Sequence, residues 1–370
     1  MASNNGNMPE VHDRIKRLLR ESEIDLIPSQ GEEYLRDRVA LVTGAGGSIG
    51  SELCRQICRS RPRKLVLLGR GEYSIYQIYH ELAATYGNKD IECVIGDMGN
   101  STKMDFLFRD HKPDIVFHAA AHKFISFVEQ YPEEGVLNNI FGTWTVAQIA
   151  RQYGVDKFVF ISTDKAVHAT SVLGATKKLT ELLVQDLADS GTTEFISVRF
   201  GNVLRSRGSV VPLFEKQIAS GGPVTVTHAK AERYFMSIHE AAHLVLGSGI
   251  VGGNGSLCVL DMGERIRILE LVEVLIQLSG YKPYGEIDIE FTGLGPGEKL
   301  VEEMLTEGET AKMRRSGQIL ITRSERGSRR FKAEDLERLR KSALACCRIE
   351  VIQLLMDIVP GYKPEIVANF

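Results

Sequence analysis

The stretch RVALVTGAGGSIG, residues 38–50, decides the fold of this 370-residue chain. Its first half is a short apolar strand, which runs directly into Gly44, Gly47 and Gly50 and then into a helix that begins near Ser51. Glycine permits a tight turn, lets the backbone approach a pyrophosphate, and lets the helix pack close to the strand. The first N–H groups of the helix carry a partial positive charge that attracts the same phosphates. Because the three glycines lie between a strand and a helix, the pattern predicts dinucleotide binding.

Strands and helices alternate through the residues that follow. Apolar strands are predicted at residues 64–68, 91–95, 114–118, 157–161 and 195–200. This alternation is typical of an α/β fold in which a parallel sheet carries helices on both faces. The chain therefore predicts a Rossmann domain with a doubly wound parallel sheet.

The domain organisation follows from the same alternation. We expect an N-terminal arm over residues 1–37, a Rossmann domain over 38–200, and mainly a smaller substrate-binding domain with C-terminal helices over 201–370. Apolar and charged groups at helical spacing in residues 12–37 fit either an amphipathic arm on the main body or a solvated leader. A strand near residues 257–261 should return to the first sheet. Further elements are predicted as short strands at 223–227, 233–236 and 287–291, a helix at 268–278, a turn at 295–299 followed by a helix, and an exposed pair of helices over 333–358.

Composition and charge exclude several classes of protein. The chain has 45 Lys and Arg against 48 Asp and Glu, a net charge of −3, which gives no reason to expect a nucleic-acid partner. Six cysteines are scattered along the chain, and Cys54 and Cys58 have no second pair of ligands nearby, so we expect reduced thiols and no metal site. Since no apolar run is long enough to span a membrane and no signal peptide opens the chain, a cytoplasmic protein is expected.

Candidate cofactor ligands follow the second, third and fourth predicted strands. Gly69 and Arg70 follow the second; an Arg here suits the 2′-phosphate of NADP, whereas an acid would suit the ribose of NAD. NAD remains the alternative, with Glu72 as its ribose ligand and Arg70 as a solvated loop residue. Asp97 follows the third strand, where it would contact the adenine. Three alanines at 119–121 let the chain pass close beneath a cofactor.

Residues 162–165, Ser-Thr-Asp-Lys, lie at the carboxyl end of the predicted central strand, where ligands bind in open α/β sheets. Asp164 and Lys165 are adjacent and could serve one reaction as proton donor and proton acceptor. Further along, a polar loop carries Arg205 and Arg207. This loop could hold a second phosphate group by charge-assisted hydrogen bonds, or it could be an ordinary basic surface loop.

Together these segments resemble the extended short-chain dehydrogenase/reductases and, more narrowly, the bacterial UDP-N-acetylglucosamine 4,6-dehydratases of capsule and polysaccharide biosynthesis. The resemblance covers roughly residues 15–364, and its most specific part is STDKAV combined with the glycine-rich loop. The matching segments are TGAGGSIGSEL (43–53), HAAAHK (118–123), STDKAV (162–167), GATKK (174–178), RFGNVL (199–204), GSVVPLF (208–214), RYFM (233–236), LDMGE (260–264) and PGEK (296–299).

Four departures from that family's pattern concern substrate detail. Leu173 stands where short-chain dehydrogenases have a catalytic Tyr, although some relatives in this group have Met there. His168-Ala169 replaces the usual Asn-Pro. Gly295 replaces an Arg that contacts the substrate diphosphate, and Phe124 replaces a common His of the substrate loop.

The resemblance implies an NADP-dependent lyase that converts UDP-N-acetylglucosamine to a 4-keto-6-deoxy sugar by C4 oxidation, elimination of water across C5 and C6, and hydride return to C6. In this scheme Lys165 is the base at C5 and Asp164 is the acid at C6. Thr163 orients the C4 oxygen, and Lys177 holds the nicotinamide ribose. Because Asp164 and Lys165 are adjacent, their titrations should be coupled and their roles could be exchanged. A homo-oligomer is also implied.

Two alternatives stay open. One is a 5,6-dehydratase that returns hydride to C4 and releases a 5,6-ene sugar. The other is a non-catalytic NADP-binding regulator, which the missing Tyr suggests. The predicted cofactor-binding residues are Gly44, Gly47, Ser48, Ile49, Gly50, Arg70, Asp97, Met98, Ala119, Ala120, Ala121 and Lys177. The predicted substrate-binding residues are Lys123, Asn139, Asn202, Arg205, Arg207, Ser209, Val210, Arg233 and Glu298.

Overall fold

A computed structural model describes residues 33–189, 191–325 and 332–364, together with Asp13. Most of the arm predicted over residues 1–37 therefore lies outside the described residues. The strands, in chain order, are β1 (Val39–Thr43), β2 (Lys64–Gly69), β3 (Ile91–Ile95), β4 (Ile115–His118), β5 (Lys157–Ile161), β6 (Glu194–Arg199), β7 (Asn202–Val203), β8 (Val224–Val226), β9 (Glu232–Arg233), β10 (Phe235–Met236), β11 (Ser256–Leu260), β12 (Ile266–Arg267), β13 (Ile289–Phe291), β14 (Arg314–Ser316) and β15 (Ile319–Thr322).

The helices pack on the faces of the sheet and beyond its edge. A π-helix at Val136–Gly142 and a 3-10 turn at Asp164–Ala166 interrupt the α-helical series. The α-helices are α1 (Ser48–Arg59), α2 (Glu72–Tyr86), α3 (Ser101–His111), α4 (Ile125–Gln130), α5 (Pro132–Gly135), α6 (Thr143–Gln152), α7 (Val172–Leu187), α8 (Val210–Ala219), α9 (Ile238–Val251), α10 (Ile268–Leu278), α11 (Glu307–Thr310), α12 (Ala333–Leu344) and α13 (Arg348–Ile358).

Nine strands of the described chain form one sheet in the order β14-β15-β11-β6-β5-β4-β1-β2-β3. The strands from β11 to β3 are parallel, whereas β15 is antiparallel to β11 and β14 is antiparallel to β15. The strand order reverses between β1 and β4, and open α/β sheets bind their ligands at this switch point. The predicted doubly wound fold is confirmed, and β11 from the second half of the chain lies beside β6.

The sheet is buried on both faces, which explains why its central strands are almost continuously apolar. All five residues of β1 are buried. One face packs on α1, α2 and α9, and the other packs on α3 and α6. A separate apolar core, built around Phe214, Val224 and Leu275, is formed by residues from the second half of the chain.

Two local predictions of the second half are wrong. The turn at residues 295–299 is present, but no helix follows it directly, and α11 begins only at Glu307. The C-terminal helices α12 and α13 were expected to be exposed, yet Leu339, Leu355 and Ile358 are buried against α7 and the π-helix. Their charged residues cover the outer face only, because the apolar stripe of each helix faces the body of the protein.

Within the described part of the chain, no helix combines the length and apolar character needed to cross a membrane. The same residues contain no cluster of three or more His, Cys, Asp or Glu side chains suited to a metal ion.

Candidate active site

The turn between β1 and α1 is shaped for a pyrophosphate. Gly44 has a φ of +65°, and a Cβ there would lie 2.8 Å from Ala120 Cα. A Cβ on Gly50 would lie 2.1 Å from the Gly44 carbonyl oxygen, so glycine is required at both positions. Helix α1 begins after Gly47 without a side-chain cap, which leaves its first N–H groups available to phosphate oxygens. These residues therefore fit the phosphates of a dinucleotide.

The corner at the ends of β2 and β3 holds the predicted determinants of cofactor type. Arg70 Nη1 lies 3.2 Å from Asp97 Oδ2, and both side chains are about half exposed. Arg70 Nη2 also lies 3.4 Å from His122 Nε2. An exposed guanidinium at this position can bind a phosphate on the adenosine ribose. In the absence of a ligand it pairs with Asp97. Met98, predicted beside this corner, is buried against Gly142.

Asn139, which was predicted to bind the substrate, holds the loop after β4 instead. It is fully buried on the π-helix, and its amide forms a closed pair with the main chain of His122. The His122 N–H donates to Asn139 Oδ1 over 2.8 Å, and Asn139 Nδ2 donates to the His122 carbonyl over 3.0 Å. The side chain therefore fixes the course of the loop after β4. π-helical segments are rare, and they occur frequently at functional sites.

A cavity of about 510 Å³ opens at the carboxyl ends of β1, β4, β5 and β6. This volume is typical of a site for a small ligand. The cavity brings together the phosphate turn and most of the predicted catalytic residues. The predicted residues that line it are Gly47, Ser48, Ile49, Gly50, Ala119, Ala121, Lys123, Thr163, Lys165, Lys177, Asn202, Arg207, Ser209 and Val210.

The remaining predicted residues lie outside the lining of this cavity. They are Gly44, Arg70, Asp97, Met98, Ala120, Asn139, Asp164, Arg205, Arg233 and Glu298. Gly44 begins the phosphate turn and Ala120 lies against it, so the two backbone segments approach closely there. His122, Phe124, Ser206 and Phe235 also line the cavity, although the pattern of the sequence did not single them out as ligands.

Asp164 lies behind the cavity wall rather than in it. Its side chain is 0% exposed, and its Oδ1 accepts hydrogen bonds from Thr163 Oγ1 and Lys165 Nζ, both over 2.9 Å. Its Oδ2 is buried and has no hydrogen-bond partner within the described part of the chain. Thr163 and Lys165 line the cavity, so they separate Asp164 from any ligand in it.

Lys165 is held by more groups than its neighbour Asp164. Its Nζ also donates to Asn202 Oδ1 over 3.3 Å and lies 3.6 Å from Glu302 Oε1. Burial alone would lower the pKa of Lys165, but the carboxylates of Asp164 and Glu302 outweigh burial and raise it. Sequence reasoning missed Glu302, because a pair of carboxylates at positions 302 and 303 is usually solvated and only the fold places one of them here.

Helix α7 supplies Leu173 and Lys177 to the same cavity. Lys177 Nζ donates to the Ile161 carbonyl over 2.9 Å and lies 4.7 Å from the centre of the Phe160 ring. Burial lowers the pKa of Lys177 to about 8, although Glu181 opposes part of that shift. Leu173 is 3% exposed and presents only an apolar surface to this cavity. It has no group that can exchange a proton, so Lys177 is the titratable side chain that this helix brings to the cavity lining.

Three predicted substrate ligands are bonded elsewhere. Arg205 is exposed and lies 3.3 Å from Glu215 on α8, away from the cavity lining. Arg233 donates to the main-chain carbonyls of Glu232 and Leu300. The carboxylate of Glu298 accepts from the Gly295 N–H within its own turn. In each case a nearby partner satisfies the side chain, and sequence alone does not reveal such local bonds.

The loop after β7 packs on both halves of the site. The Arg207 N–H donates to Ser48 Oγ over 3.0 Å, which joins this loop to the phosphate turn. Gly208 has a φ of +67°, and a Cβ there would lie 2.5 Å from the Phe124 ring. At the loop's end, Ser209 precedes α8 without capping it, and its hydroxyl is buried without a partner among the described residues.

A buried ion cluster lies beneath the STDK segment. Arg199 at the end of β6 donates to both carboxylate oxygens of Glu181 on α7 and to both of Glu309 on α11, over 2.7–3.2 Å. All three side chains are 0% exposed. Ser162 donates to Glu181 over 2.6 Å, and Lys178 lies 3.4 Å from Glu309. The cluster therefore fixes the first residue of the segment against two helices.

This fold and this site define a Rossmann-type protein of the short-chain dehydrogenase/reductase class. The polysaccharide biosynthesis protein family matches residues 40–324, and the chain belongs to that family. It is 50% identical over 308 residues to the capsular polysaccharide biosynthesis protein CapD of Staphylococcus aureus, covering 83% of this chain and 51% of CapD. It is 47% identical over 293 residues to the probable polysaccharide biosynthesis protein EpsC of Bacillus subtilis, covering 79% and 49%. The chain thus spans about half the length of these relatives.

Solved structures agree with the fold. The X-ray structure of Pen from Bacillus thuringiensis is 33% identical to this chain, with a TM-score of 0.74, covering 84% of this chain and 99% of Pen. The dTDP-glucose 4,6-dehydratase DesIV from Streptomyces venezuelae, solved with NAD bound, is 19% identical, with a TM-score of 0.64, covering 71% and 86%. The second comparison concerns the fold alone.

Proposed function

We propose that this chain is a nucleotide-sugar dehydratase that uses NADP and converts UDP-N-acetylglucosamine to its 4-keto-6-deoxy derivative. The observation that carries this proposal is that Thr163, Lys165 and Lys177 line one cavity with the phosphate turn of α1. Oxidation followed by elimination requires a proton acceptor and a proton donor beside a nicotinamide. The names of CapD and EpsC support polysaccharide synthesis as the setting for such a sugar nucleotide.

The substrate diphosphate would lie at the start of α8. Ser209 leaves that helix uncapped, and its buried hydroxyl has no partner in the described part of the chain. Arg207 and Lys123 flank the same part of the cavity. Burial lowers the pKa of Lys123, so the approach of a diphosphate would restore a favourable environment for its charge. Ser209, Arg207 and Lys123 together provide hydrogen-bond donors for an anion, which Gly295 has no side chain to provide.

The cofactor would lie across the phosphate turn, with Arg70 at its ribose phosphate and Lys177 at its nicotinamide ribose. Bound NADP supplies a hydride acceptor at C4 and a hydride donor at C6 of the sugar. The apolar surface of Leu173 then limits the groups that can take the C4 hydroxyl proton. Thr163 is the hydroxyl of the cavity wall that already donates to the Asp164 carboxylate.

The position of Asp164 favours an indirect route for that proton. The C4 hydroxyl would donate to Thr163 while Thr163 passes its own proton to Asp164 Oδ1. The protonated Asp164 would later return this proton through Thr163 to the departing C6 oxygen, which leaves as water. Lys165 would take the C5 proton and return it to C5 after C6 is reduced. The sugar then loses one molecule of water, and no proton is gained or lost by the protein.

The test is proton NMR of the product formed from UDP-N-acetylglucosamine by the purified protein. A C6 methyl signal together with a C4 ketone supports the proposal. Vinylic signals would show that hydride returns to C4 and that the protein is a 5,6-dehydratase. The absence of any turnover with saturating NADP and UDP-N-acetylglucosamine would overturn the assignment, as would an epimerised sugar without loss of water. The nucleotide released on denaturation, identified by mass spectrometry, tests NADP against NAD.

A further inference from the structure

The segment that follows the PGEK turn places an unexplained carboxylate beside Lys165. Glu302 is 1% exposed, and its Oε1 lies 3.6 Å from Lys165 Nζ. Its Oε2 lies 4.0 Å from Lys299 Nζ and has no hydrogen-bond partner among the described residues. A buried carboxylate oxygen without a donor costs folding free energy, so its presence calls for a physical explanation.

The main chain around Glu302 holds this carboxylate firmly in place. The Glu232 N–H donates to the Leu300 carbonyl over 2.9 Å, and Val301 bridges β9. Arg233 donates to the same Leu300 carbonyl over 3.2 Å. These contacts pin the backbone immediately before Glu302, so the side chain reaches Lys165 from an anchored position and not from a mobile loop.

The proposed reaction raises a proton-accounting problem at Lys165. To take the C5 proton, Lys165 must first become a neutral amine, yet Asp164 and Glu302 both favour its ammonium form. Asp164 cannot accept the proton of that ammonium, because it already holds the proton from the C4 hydroxyl. The other groups that face Lys165 are Asn202, Arg233 and Lys299. Asn202 is an amide, and Arg233 and Lys299 are cations, so none of the three can accept the proton of Lys165.

We propose that Glu302 is a positioning residue that accepts and stores the Lys165 ammonium proton during each turnover. The inference rests on the dehydratase function proposed above. Transfer breaks one N–H bond of Lys165 and forms one O–H bond on Glu302, which converts a buried ion pair into a neutral amine and a neutral acid. Once C4 is oxidised and Asp164 is protonated, the main carboxylate that stabilised the ammonium is gone. The transfer to Glu302 then meets less electrostatic opposition.

Glu302 then stays protonated during the steps that follow. The neutral Lys165 takes the C5 proton, becomes an ammonium again, and returns that proton to C5 at the end. Glu302 then gives its stored proton back to the Lys165 amine, which restores the starting ion pair. Because Glu302 is neutral while it holds this proton, the positive charge that Lys165 gains on taking the C5 proton is balanced by the negative charge left on the substrate at C5. Lys299 lies on the far side of Glu302 and keeps the site from accumulating negative charge before turnover.

The test compares Glu302→Gln and Glu302→Asp with Glu303→Gln as the matched control. Glu303 is the adjacent carboxylate, about half exposed, and its partner is His168. Gln keeps the size of Glu302 but cannot accept a proton. We expect Glu302→Gln to lose about 10²-fold or more in kcat at pH 7 with KM within about twofold. Its residual kcat should rise about tenfold per pH unit, because Lys165 must then release its proton to solvent. Glu302→Asp should recover part of kcat, and Glu303→Gln should resemble the wild type.

Two further readouts separate this proposal from simple structural damage and from failure of the proposed function. Absorbance at 340 nm should show reduced nicotinamide forming at the wild-type rate in Glu302→Gln and then persisting, since only the step after oxidation is slowed. Competitive acylation with mass spectrometry, in the absence of substrate, should show a lower pKa for Lys165 in Glu302→Gln. A wild-type protein that never releases water refutes the proposed function. A wild-type dehydratase whose Glu302→Gln variant keeps its kcat and pH profile, or slows oxidation as much as elimination, refutes the role of Glu302.

Discussion

Replacing Arg199 with Met should strongly destabilise the fold, because this residue neutralises two buried carboxylates. The guanidinium donates to both oxygens of Glu181 and of Glu309 and to the Met304 carbonyl. Burial alone would raise the pKa of Glu309, but Arg199 and Lys178 lower it to about 2. The variant would leave both carboxylates in the interior, with Lys178 beside Glu309 and Lys177 acting on Glu181.

The expected magnitude follows from the burial of all partners. Removing one member of a buried ion pair costs about 3–5 kcal/mol, since the partner keeps its charge without solvent. Lys178 remains 3.4 Å from Glu309 and offsets part of this cost, so we expect about 3 kcal/mol for Arg199→Met. That is a large share of the roughly 5–15 kcal/mol by which most domains are stable.

The assay is urea unfolding, followed by the fluorescence of Trp144, which is the single tryptophan of the chain. Trp144 packs against the apolar cluster that α7 forms with the π-helix and the C-terminal helices. Arg63→Met is the matched control, because Arg63 forms a 3.1 Å pair with Asp114 in which the arginine is 60% exposed. The control should cost less than about 1 kcal/mol. A loss of less than about 1 kcal/mol for Arg199→Met as well would show that the cluster contributes little net stability, contrary to this reasoning.

The other predictions concern the cofactor, the substrate and pH. Asp164→Asn should abolish the 340 nm absorbance that follows addition of UDP-N-acetylglucosamine and lose at least about 10² in turnover; absorbance that appears at the normal rate would exclude Asp164 as the final C4 proton acceptor. Arg70→Ala should weaken binding of NADP at least about tenfold while leaving NAD unaffected, as calorimetry would show, and equal losses for both would mean that Arg70 does not contact the 2′-phosphate. Arg207→Ala should weaken UDP binding about tenfold or more, whereas Arg205→Ala, outside the cavity lining, should not. Burial lowers the pKa of His118 from 6.5 to about 3, so the unfolded chain binds the proton first and stability is lost as the pH falls through this window. Between pH 7 and pH 5 this loss should be about 2 kcal/mol in urea unfolding, and His118→Gln should show a flatter pH dependence.

The fold and the cofactor turn were predictable because they depend on patterns that are local in sequence. Alternating apolar strands and helices indicate a parallel sheet wherever the helices cover both faces. The turn at residues 44–50 was recognisable for the same reason, since a Cβ at Gly44 or Gly50 would overlap neighbouring backbone. The antiparallel strands β14 and β15 were not predicted, because three or four residues carry too little periodicity to indicate a strand.

The substrate side of the site was less predictable because it depends on the direction of individual side chains. Asn139, Arg233 and Glu298 have suitable chemistry but form hydrogen bonds with nearby main chain. Asp164 was placed in the correct segment, yet its complete burial behind Thr163 follows from the 3-10 turn and not from its residue type. Glu302 reaches Lys165 only because β9 holds the segment that precedes it, and that pairing joins residues far apart in the chain.

The interleaved sheet has a consequence for how the chain acquires its structure during synthesis. Strand β11 pairs with β6, and β15 pairs with β11 only after the chain has left the sheet and returned. Until residue 309 has emerged, Arg199 lacks one of the two carboxylates that neutralise it. The first 200 residues therefore cannot complete their own interior, and folding must wait for contacts of high sequence separation, which form slowly. We expect a fragment that stops at residue 300 to unfold at far lower urea concentrations than the whole chain, which would make the nucleotide-binding half dependent on the half that follows it.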